Sequence, residues 1–517
     1  MKIKLSLSAL YGLLSINLLA ATEELTILYT NDLHSHLEPH LESWISESRQ
    51  VGGFANLATM VKQEKAKKEN TIYLDAGDYF SGPYVSSLTK GEAVIESMNH
   101  LGLDAACIGN HEFDYGWENM ITQMNKAKFP ILNANIFIKE TGEPVWNNPY
   151  IIIKKGELNI GVIGLHGKFA FYDTINFRMI KGVEARDENI YLEKYLAVLK
   201  DQVDMIVVVI HHGMPGRQSS IGQTDVMRRL NSDVELAKRF PEINIIVSGH
   251  AHTGTPDALK VNDTLIVSTN AYTTELGKLE ISFDKQSKKV VSYNNQLLTI
   301  FDDEVEDDKR MSEVVEYWQK EVEYIASEKI SYTTSSLTRA YGSESNMGNL
   351  FADAMEDYDD AIDFAVVNSG ALRQDISKGD VSFGDLISAF PFPNTLVSTK
   401  LTGSQIKEIF DHAAGLSNGI LQVSKSFKYS FSPESHVINM WFNGKKIEEN
   451  QLYNVASSSF VTDGGDGYLV FKKGLETKDT GINIYEVLKG YLAKIPSISF
   501  SCFSENVNPD INNSSFI

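Results

Sequence analysis

The sequence predicts an α/β layered domain, followed by a linking helix and a second domain of mixed α+β structure. Over about residues 22–300, short β-rich runs alternate with helical patterns, as is typical of α/β folds. A strongly charged stretch at 302–310 then precedes apolar residues at helical spacing. Beyond about residue 330, helical segments mix with alternating strands and a hairpin signal, which indicates α+β structure.

A chain of 517 residues is long enough for two large domains or three small ones. Its hydrophobic content of 43% and charged content of 22% exclude disorder, collagen-like structure and a disulfide scaffold as its main description. The formal net charge of −21 argues against nonspecific binding to a nucleic acid polymer or an anionic membrane. It allows an anionic substrate, provided that positive charge is concentrated locally. The two cysteines, Cys107 and Cys502, give no disulfide framework.

Residues 1–21 have the pattern of a secretory signal peptide. Lys2 and Lys4 provide a positive start, and a short apolar run ends at Ala20 and Ala21. An uncleaved membrane anchor is the alternative, but the run is short for a span of about 20 residues. The polar tail at 501–517 has no long apolar segment, so no stable membrane anchor is expected. We therefore expect secretion, to a bacterial periplasm or the extracellular space.

Polar, chemically capable side chains follow the β-rich runs of the first domain, which is predicted over 22–300. The runs are LTILYT before 31–34, TIYLDA before 77–78, DAACIG before 110–112, DMIVVVI before 211–213 and INIIVS before 249–252. Their nearly continuous apolar character predicts strands buried on both faces. Because α/β folds place their sites at the carboxyl ends of strands, we expect these side chains to meet. Helical patterns at 53–70 and 188–202 lie between the runs.

The second half begins with a linker helix predicted over 301–329. Its apolar stripe is formed by Met311, Val314, Val315, Trp318, Val322 and Ile325. The stripe has two interpretations, a hinge seam and ordinary core packing, and we favour core packing. The second domain is predicted over 330–500. Within it we expect helices near 347–358 and 401–415, a strand near 361–370, and a hairpin turn at Asn443 and Gly444.

The strand-end residues together point to a metal site. They are Asp32, His34, Asp78, Asn110, His111, His211, His250 and His252. Imidazole and carboxylate are usual ligands of transition metals, a carboxylate can bridge two cations, and the amide of Asn110 offers a neutral oxygen. Asp-x-His and His-x-His place two side chains on the same side of an extended segment. Each piece alone fits a capped turn or a buried histidine, but the whole set exceeds the ~4 positions of a single zinc ion.

These motifs resemble those of the calcineurin-like dinuclear metallophosphoesterases, and among them the secreted 5′-nucleotidase family. The metal motifs that carry the resemblance lie at 31–34, 77–78, 109–114, 211–213 and 249–252. Further motifs lie at 346–349, 368–373, 391–392 and 460–466, and they narrow the resemblance to nucleotidase-like enzymes. The resemblance implies a four-layer α/β/β/α metallophosphoesterase domain joined to a C-terminal 5′-nucleotidase domain.

The resemblance also implies two divalent metal ions, drawn from zinc, manganese, cobalt and magnesium. One set of ligands would be Asp32, His34, Asp78 and His252, and the other Asp78, Asn110, His211 and His250. In the family pattern the ligand lies two residues before the glycine, here Gly213, which implies His211 as the ligand rather than His212. His111 would be catalytic and Asp114, three residues on, would orient its imidazole. Glu112 is expected to support the site or cap the turn.

For the substrate, the resemblance implies contacts from the second domain. Phe392 and Phe460 would clamp a nucleobase, since aromatic rings stack on bases. Asp466 would contact the ribose hydroxyls, and Asn368 and Arg373 would complete the substrate contacts, with Arg373 on phosphate. The family often has a basic residue just before the 346–349 motif. Here Arg339 lies further upstream and is a tentative phosphate contact, so either a shifted loop brings it in or the contact is missing.

The function predicted from this resemblance is metal-dependent hydrolysis of nucleoside 5′-monophosphates, by a metal-activated water attacking phosphorus in line. UDP-sugars, nucleoside di- and triphosphates and 2′,3′-cyclic nucleotides are further candidate substrates, all small molecules rather than a nucleic acid polymer. One alternative keeps the fold and changes the chemistry to hydrolysis of a sulfur compound, as in thiosulfohydrolases. Another is a catalytically silent nucleoside- or ligand-binding surface protein.

Overall fold

The structure is a computed structural model that describes residues 22–212, 231–414, 416, 420–432, 436–495 and 497–499. The predicted signal peptide at 1–21 and the polar tail at 501–517 lie outside the described residues, as do Gly213 and the polar stretch that follows it to residue 230. The signal peptide and secretion therefore stay predictions. No helix among the described residues is long and apolar enough to cross a membrane.

The first part of the chain contains the strands and helices of an α/β domain. Its strands are β1 (Thr22–Thr30), β2 (Pro39–Leu41), β3 (Gln50–Gly52), β4 (Thr71–Asp75), β5 (Ala105–Cys107), β6 (Ile131–Leu132), β7 (Ile136–Ile138), β8 (Tyr150–Lys155), β9 (Leu158–His166), β10 (Val183–Ala185), β11 (Met205–His211), β12 (Ile245–Gly249), β13 (Leu259–Val261), β14 (Thr264–Val267), β15 (Glu275–Asp284) and β16 (Lys289–Thr299). Its helices are α1 (Phe54–Lys67), α2 (Tyr84–Thr89), α3 (Glu92–Met98), α4 (Trp117–Met124), α5 (Lys168–Thr174), α6 (Glu188–Leu199) and α7 (Asn231–Arg239), with a 3₁₀ turn at His111–Phe113.

Two six-stranded sheets form the centre of this part. The strand orders are β16-β15-β1-β4-β5-β6 and β13-β14-β12-β11-β9-β8. Strands β1, β4, β5 and β6 run parallel, and so do β9, β11, β12 and β14. The carboxyl ends of the parallel strands therefore meet at one edge of each sheet.

The two sheets pack face to face and carry helices on their outer faces. Ile27 and Val207 point into the apolar layer between the sheets. The next residues, Leu28 and Val208, point outwards to cores that include residues of α1 and α6 respectively. Strands buried on both faces explain the nearly continuous apolar runs in the sequence. The predicted four-layer α/β/β/α fold is confirmed.

The predicted linker helix is α8 (Lys309–Ala326). It begins where the Asp308 carboxylate accepts the backbone N–H of Met311, as a helix cap does. Met311, Val314, Val315 and Val322 are buried as expected, but Ile325 is 45% exposed, so its assignment to the stripe was wrong. The buried stripe ends on Ala326 instead, because that residue falls four positions after Val322 on the same helix face.

The last part of the chain has mixed α+β structure, as predicted. Its elements are β17 (Lys329–Thr333), α9 (Asn346–Glu356), β18 (Phe364–Asn368), β19 (Gly379–Ser382), α10 (Phe383–Ala389), β20 (Thr395–Thr402), α11 (Gly403–Ala414), β21 (Leu421–Val423), β22 (Phe427–Ser432), β23 (His436–Phe442), β24 (Lys445–Lys446), β25 (Leu452–Ser458), α12 (Ser459–Thr462), β26 (Leu475–Asn483) and α13 (Ile484–Leu492), with 3₁₀ turns at Ser369–Ala371, Gly465–Gly467 and Leu469–Lys473. The main sheet has the order β21-β18-β25-β20-β26. Asn443 and Gly444 join β23 to β24 with φ of 48° and 73°, as their hairpin signal predicts.

The two parts of the chain touch on both sides of a cleft. The backbone N–H of Tyr84 donates to Ser388 Oγ at 2.9 Å. Elsewhere, Asn176 Nδ2 donates to Asn394 Oδ1 at 2.9 Å, and Arg178 Nε donates to an Asp463 carboxylate oxygen at 2.5 Å. The carboxyl ends of the strands in the first part of the chain face the last part across this cleft. The domain boundaries at 300 and 329 stay predictions.

Candidate active site

The strand-end residues lie in loops at the carboxyl edges of the two central sheets. Asp32 and His34 follow β1, and Asp78 follows β4. The remaining polar side chains follow or end β5, β11 and β12, and they are Asn110, His111, His211, His250 and His252. Because parallel strands end at a common edge, loops that are far apart in sequence converge there.

The expectation that the paired ligand motifs are extended was wrong. Asp32, His34, His250 and His252 have φ of 51°, 45°, 81° and 47°, and Asp78 has φ of 62°. These are left-handed conformations, which cost roughly 1–2 kcal/mol per non-glycine residue. The chain reverses sharply after each strand, so the side chains converge through these turns and not through strand alternation. Such strained backbone is common at functional sites.

Two glycines let the ligand loops touch backbone to backbone. Gly77 has φ of +88°, and a Cβ there would lie 2.5 Å from the backbone nitrogen of Gly109. A Cβ on Gly109 would lie 2.1 Å from Asp78 Oδ1. Any larger side chain at either position would push the two loops apart.

One cluster of donor atoms is formed by Asp32, His34 and His252. His34 Nδ1 donates to the carbonyl oxygen of Ser81 at 2.9 Å, which leaves Nε2 free to face the cluster. That Nε2 atom lies 2.9 Å from His252 Nε2, and His252 Nε2 lies 3.2 Å from Asp32 Oδ1. Three donor atoms therefore point at a common position.

A second cluster is formed by Asp78, His211 and His250. His211 Nδ1 donates to the carbonyl of Ala76 at 2.8 Å, and Nε2 lies 3.1 Å from Asp78 Oδ2. The Asn110 amide oxygen lies 3.0 Å from His211 Nε2 and 2.8 Å from His250 Nδ1. Asp78 Oδ2 also lies 3.9 Å from His34 Nε2, so this carboxylate connects the two clusters.

The electrostatics of both clusters suit divalent cations. Burial and neighbouring imidazoles lower the pKa of His34 well below its ordinary value and that of His250 to about 3, so both rings are uncharged nitrogen donors. Burial also lowers the pKa of His211, but Asp78 and Asp32 outweigh it and raise the pKa to about 10. These buried carboxylates attract positive charge strongly. Uncharged imidazoles beside carboxylates match the donor preference of metals such as zinc and manganese.

His111 lies beside the clusters with a carboxylate behind it. Its Nδ1 donates to Asp114 Oδ2 at 2.7 Å, and its Nε2 lies 3.3 Å from Arg373 Nη2. Asp114 also accepts a hydrogen bond from the Ser81 hydroxyl. Burial lowers the pKa of His111, but the carboxylates of Asp114 and Asp78 outweigh it and raise the pKa. The i, i+3 spacing comes from the 3₁₀ turn at His111–Phe113.

Glu112 has a larger part in the site than its sequence position indicated. Its carboxylate is fully buried and accepts four backbone N–H groups. Oε2 accepts from Asp78 and Gly109 at 3.0 and 2.6 Å, and Oε1 accepts from Tyr79 and Phe80 at 2.7 and 3.1 Å. Burial and the nearby Asp78 raise the pKa of Glu112 to about 7. One side chain thus joins the loops that follow β4 and β5.

The two adjacent histidines at the end of β11 have different surroundings. His211 points into the second cluster, whereas His212 lies between two carboxylates. His212 Nε2 is 3.3 Å from Glu188, and Nδ1 is 3.6 Å from Asp233. These residues belong to α6 and α7, on the outer face of the sheet.

A cavity of about 510 Å³ connects the donor clusters to the last part of the chain. From the first part it is lined by Asp78, Asn110, His111, Asp114, His250 and His252, while Asp32, His34 and His211 are fully buried behind it. All of the predicted substrate residues and Arg339 line it from the other side. They are Arg339, Asn368, Arg373, Phe392, Phe460 and Asp466.

The predicted substrate residues contact each other and the catalytic side. The Phe392 ring stacks on the His111 ring, with centroids 5.5 Å apart, and the Arg373 guanidinium lies 5.3 Å from the Phe392 centroid. Asn368 Nδ2 donates to Asp466 Oδ2 at 3.1 Å, and Asn368 Oδ1 is buried without a hydrogen-bond partner among the described residues. The turn at Gly465–Gly467 packs closely on the Phe460 ring.

Arg339 lines the cavity and lies beside two carboxylates. Its guanidinium lies 3.6 Å from Glu42 and 3.9 Å from Asp375. Its backbone N–H also donates to the Asp375 carboxylate at 2.9 Å. Arg339 therefore lines the cavity, and its contact with phosphate stays a prediction.

Sequence reasoning missed other cavity residues, above all Tyr272, together with Trp44 and Tyr341. Tyr272 follows β14, whose carboxyl end lies at the same edge of its sheet as those of β11 and β12. The position of Tyr272 after a parallel strand was the one feature of the sequence that could have marked it as a site residue. The segment Asn270–Tyr272 contains no metal-ligand pattern, so it did not stand out. Trp44 and Tyr341 lie outside any motif, so only the folded chain brings them to the cleft.

The fold and its paired donor clusters define a phosphoric ester hydrolase of the calcineurin-like class. Residues 25–254 match the calcineurin-like phosphoesterase family, and residues 324–473 match the 5′-nucleotidase C-terminal domain. The chain therefore belongs to the 5′-nucleotidase family of metallophosphoesterases, which joins these two domains, as the sequence motifs predicted. The metallophosphoesterase fold implies bound divalent metal ions.

Relatives that align with most of this chain are found in animals and bacteria. The chain is 28% identical to the 5′-nucleotidase of Rattus norvegicus over 95% of this chain and 92% of that protein. It is also 28% identical to the trifunctional nucleotide phosphoesterase protein of Bacillus subtilis over 91% of this chain, but it spans only 34% of that longer protein.

Solved structures share the whole fold. The 5′-nucleotidase precursor from Thermus thermophilus matches with a TM-score of 0.82 and 26% identity, covering 95% of this chain and all of that one. The sulfate thiohydrolase SoxB of Thermus thermophilus, in complex with glycerol, matches with a TM-score of 0.77 and 18% identity, over 95% of this chain and 97% of that one. At that identity the likeness shows the fold alone.

Replacing Glu112 by glutamine is expected to weaken metal binding about 10- to 100-fold, as loss of a ligand-supporting contact does. Glutamine has an NH₂ group in place of one carboxylate oxygen. Whichever way the amide is oriented, two of the four backbone N–H groups would face this donor and lose their acceptor. The measurement is the metal content of the protein after dialysis against a weak chelator. The control is Glu118→Gln, the same change at an exposed position. Wild-type metal retention by Glu112→Gln would contradict the prediction.

Proposed function

We propose that the protein hydrolyses nucleoside 5′-monophosphates to nucleoside and phosphate. The observation that carries this proposal is the continuity of one cavity from the donor clusters to the aromatic pair Phe392 and Phe460. The His111 ring, beside the clusters, is stacked on Phe392. A phosphate at the clusters would therefore leave its nucleoside beside the aromatic side chains.

In this proposal two divalent cations occupy the two clusters. Asp32, His34 and His252 would hold one, Asn110, His211 and His250 the other, and Asp78 both. When bound, such ions lower the pKa of a water molecule and offset the charge of the phosphate oxygens. The mixed nitrogen and oxygen donors suit zinc, manganese or cobalt, and magnesium is the further candidate.

His111 would assist the departure of the 5′-oxygen. Its Nε2 faces the cavity beside the donor clusters, while its Nδ1–H is held by Asp114. The carboxylate fixes the ring orientation and favours its charged form, so a proton at Nε2 can be given to the leaving oxygen. Arg373, 3.3 Å from the same nitrogen, would bind a phosphate oxygen through its fork of donors. Arg339 would add a second positive charge.

The nucleoside would be recognised by the last part of the chain. Phe392 and Phe460 offer ring faces for base stacking. Asp466 and Asn368 are hydrogen-bonded to each other, and the free Asn368 oxygen is an acceptor for a ribose hydroxyl or a base amino group. UDP-sugars, nucleoside di- and triphosphates and 2′,3′-cyclic nucleotides remain candidate substrates of the same cavity.

The two alternative functions, hydrolysis of a sulfur compound and silent ligand binding, predict different features of this cavity. Hydrolysis of a sulfur compound uses the same fold, but it has no need of an aromatic pair beside an Asn–Asp pair. A silent binding protein would tolerate the loss of metal donors, whereas every predicted donor here points into a cluster. Both observations favour the nucleotidase.

The direct test is phosphate release by metal-stripped protein that is then supplied with zinc, manganese, cobalt or magnesium. We expect turnover only with metal, and faster with AMP than with a simple aryl phosphate, because the aryl ester lacks the base and ribose. UDP-glucose, ATP and 2′,3′-cyclic AMP are assayed in parallel. Metal-dependent turnover without preference for AMP would remove the nucleotide assignment, and absence of turnover on every ester would remove the proposed function.

Replacing His111 by alanine is expected to lower kcat for AMP by about 100- to 10,000-fold, the usual contribution of a general acid. Metal content should stay unchanged, because His111 is not among the proposed ligands. His100→Ala, at a turn that does not line the cavity, is the histidine control. A loss of kcat below about tenfold, with the metal retained, would rule out this role for His111.

Replacing Phe460 by alanine is expected to raise KM for AMP by about 5- to 100-fold, because one stacked base is worth ~1–3 kcal/mol. Hydrolysis of glycerol phosphate, which has no ring, should change little. Phe460 is a cleaner choice than Phe392, whose ring also supports His111. Phe460→Tyr should keep the wild-type KM since it keeps the ring. An equal loss on both substrates in Phe460→Ala would show that the ring acts on the site as a whole.

A further inference from the structure

Asn176 belongs to the first part of the chain, but its side chain bonds to two loops of the last part. Its Nδ2 atom donates to Asn394 Oδ1 at 2.9 Å and, over a longer distance of 3.4 Å, to Ser459 Oγ. All three residues are buried, and Asn176 and Asn394 line the cavity. One side-chain amide therefore connects two segments that lie far apart in the sequence.

Asn394 lies close to the first residue of the aromatic pair, Phe392. Pro393 separates the two residues, and because its ring fixes φ, the backbone between them is stiff. On the other side of Phe392, the Ser87 hydroxyl of the first part donates to the carbonyl of Pro391 at 3.1 Å. The loop of Phe392 is thus held to the first part of the chain both before and after its aromatic residue.

Ser459 directly precedes the second residue of the aromatic pair, Phe460. It is the first residue of α12, and its hydroxyl accepts the backbone N–H of Thr395 at the start of β20, at 3.1 Å. The two loops therefore bond to each other at the point where Asn176 reaches them. Whereas the bond from Ser87 is to the loop of Phe392, the amide of Asn176 bonds to both loops.

Asn176 is itself fixed to the strands that carry the donor clusters. Strand β9 ends at His166, which pairs with His211 of β11, and the backbone N–H of Gly167 donates to the carbonyl of His211 at 2.8 Å. Helix α5 follows directly, and Asn176 lies two residues after its end. The Asn176 Oδ1 atom accepts the backbone N–H of Arg178 at 3.0 Å, which closes a tight turn. A short helical segment therefore connects the second donor cluster to the loops of the aromatic pair.

A neighbouring ion pair contributes less to this connection. Arg178 Nε donates to an Asp463 carboxylate oxygen at 2.5 Å, and Arg178 Nη1 donates to Asp479. The Arg178 side chain is 40% exposed, and exposed ion pairs contribute little because water and salt screen them. The bond from Asn176 to Asn394 is buried, so breaking it leaves a polar atom without a partner away from water. The amide of Asn176 therefore fixes the two loops more firmly than the ion pair does.

We propose that Asn176 is a positioning residue of the nucleoside site: its side-chain amide holds the loops of Phe392 and Phe460 in the position from which both rings stack on a nucleobase. The inference rests on the proposed function, because it assigns a nucleobase to the aromatic pair. Asn176 acts through the two rings and takes no part in bond breaking. The base site is then set at a fixed distance from the donor clusters by the first part of the chain.

The test is Asn176→Ala in the metal-loaded enzyme, with the Kd of adenosine measured by calorimetry and KM for AMP measured by phosphate release. Because a buried hydrogen bond is lost and both rings lose a support, we expect Kd and KM to rise about fivefold or more while kcat changes less than about twofold. Glycerol phosphate, which has no ring to stack, should be affected much less. The matched control is Asn56→Ala, which removes a buried asparagine outside the cavity lining whose Nδ2 donates to the Val305 carbonyl at 2.8 Å.

A double-mutant cycle with Asn394→Ala separates positioning from direct contact between Asn176 and the substrate. Asn394→Ala removes the acceptor and leaves the turn between Asn176 and Arg178 intact, so it should raise the Kd of adenosine by a similar factor. In that background Asn176→Ala should add less than about twofold, because its main partner is gone. Additive effects, an unchanged Kd in Asn176→Ala, or an equal loss on AMP and glycerol phosphate would each overturn the inference.

The proposed function fails by a different result. It is refuted if the wild-type protein releases no phosphate from AMP with any metal, and the adenosine titrations of the variants would still decide the role of Asn176. Wild-type protein that binds no adenosine would overturn the inference, since the aromatic pair would then have no base to hold.

Discussion

The site depends on one buried carboxylate, that of Asp78, being shared. Its Oδ2 atom lies 3.1 Å from His211 Nε2 and 3.9 Å from both His34 Nε2 and His111 Nε2, while Oδ1 accepts the backbone N–H of His111 at 2.8 Å. Burial raises the pKa of Asp78, but His211 and His111 outweigh it and hold the pKa well below its ordinary value. Because a buried charge must be compensated, three imidazoles and a backbone N–H surround this carboxylate.

Holding that carboxylate in place requires unusual backbone. The turns after the strands use left-handed residues and glycines, which leave the loops in close contact. Glu112 stabilises the arrangement by accepting four backbone N–H groups from two loops. The local conformational cost is offset by rigid sheets on which these loops begin and end. The result is a preorganised set of donors, which is what metal binding and phosphoryl chemistry both need.

An acidic chain can still receive an anionic nucleotide because its positive charge is local. The net charge of the sequence is −21, yet Arg339 and Arg373 both line the cavity beside the donor clusters. The first part of the chain supplies the donor clusters, and the last part supplies the two arginines and the aromatic pair, so neither forms the cavity alone. Contacts such as Tyr84 with Ser388 and Arg178 with Asp463 connect the two parts on either side of it.

The sequence by itself determined the layered α/β fold, the donor residues and the aromatic pair, because apolar runs and short motifs are local features of a chain. It predicted the wrong backbone for the Asp-x-His and His-x-His pairs, since spacing alone does not reveal that turns and not strands carry them. It also assigned Ile325 to a stripe that ends on Ala326. Only the tertiary structure decided that Glu112 joins two loops and that Arg339 and Tyr272 line the cavity. These depend on contacts between segments far apart in sequence, which no local pattern records.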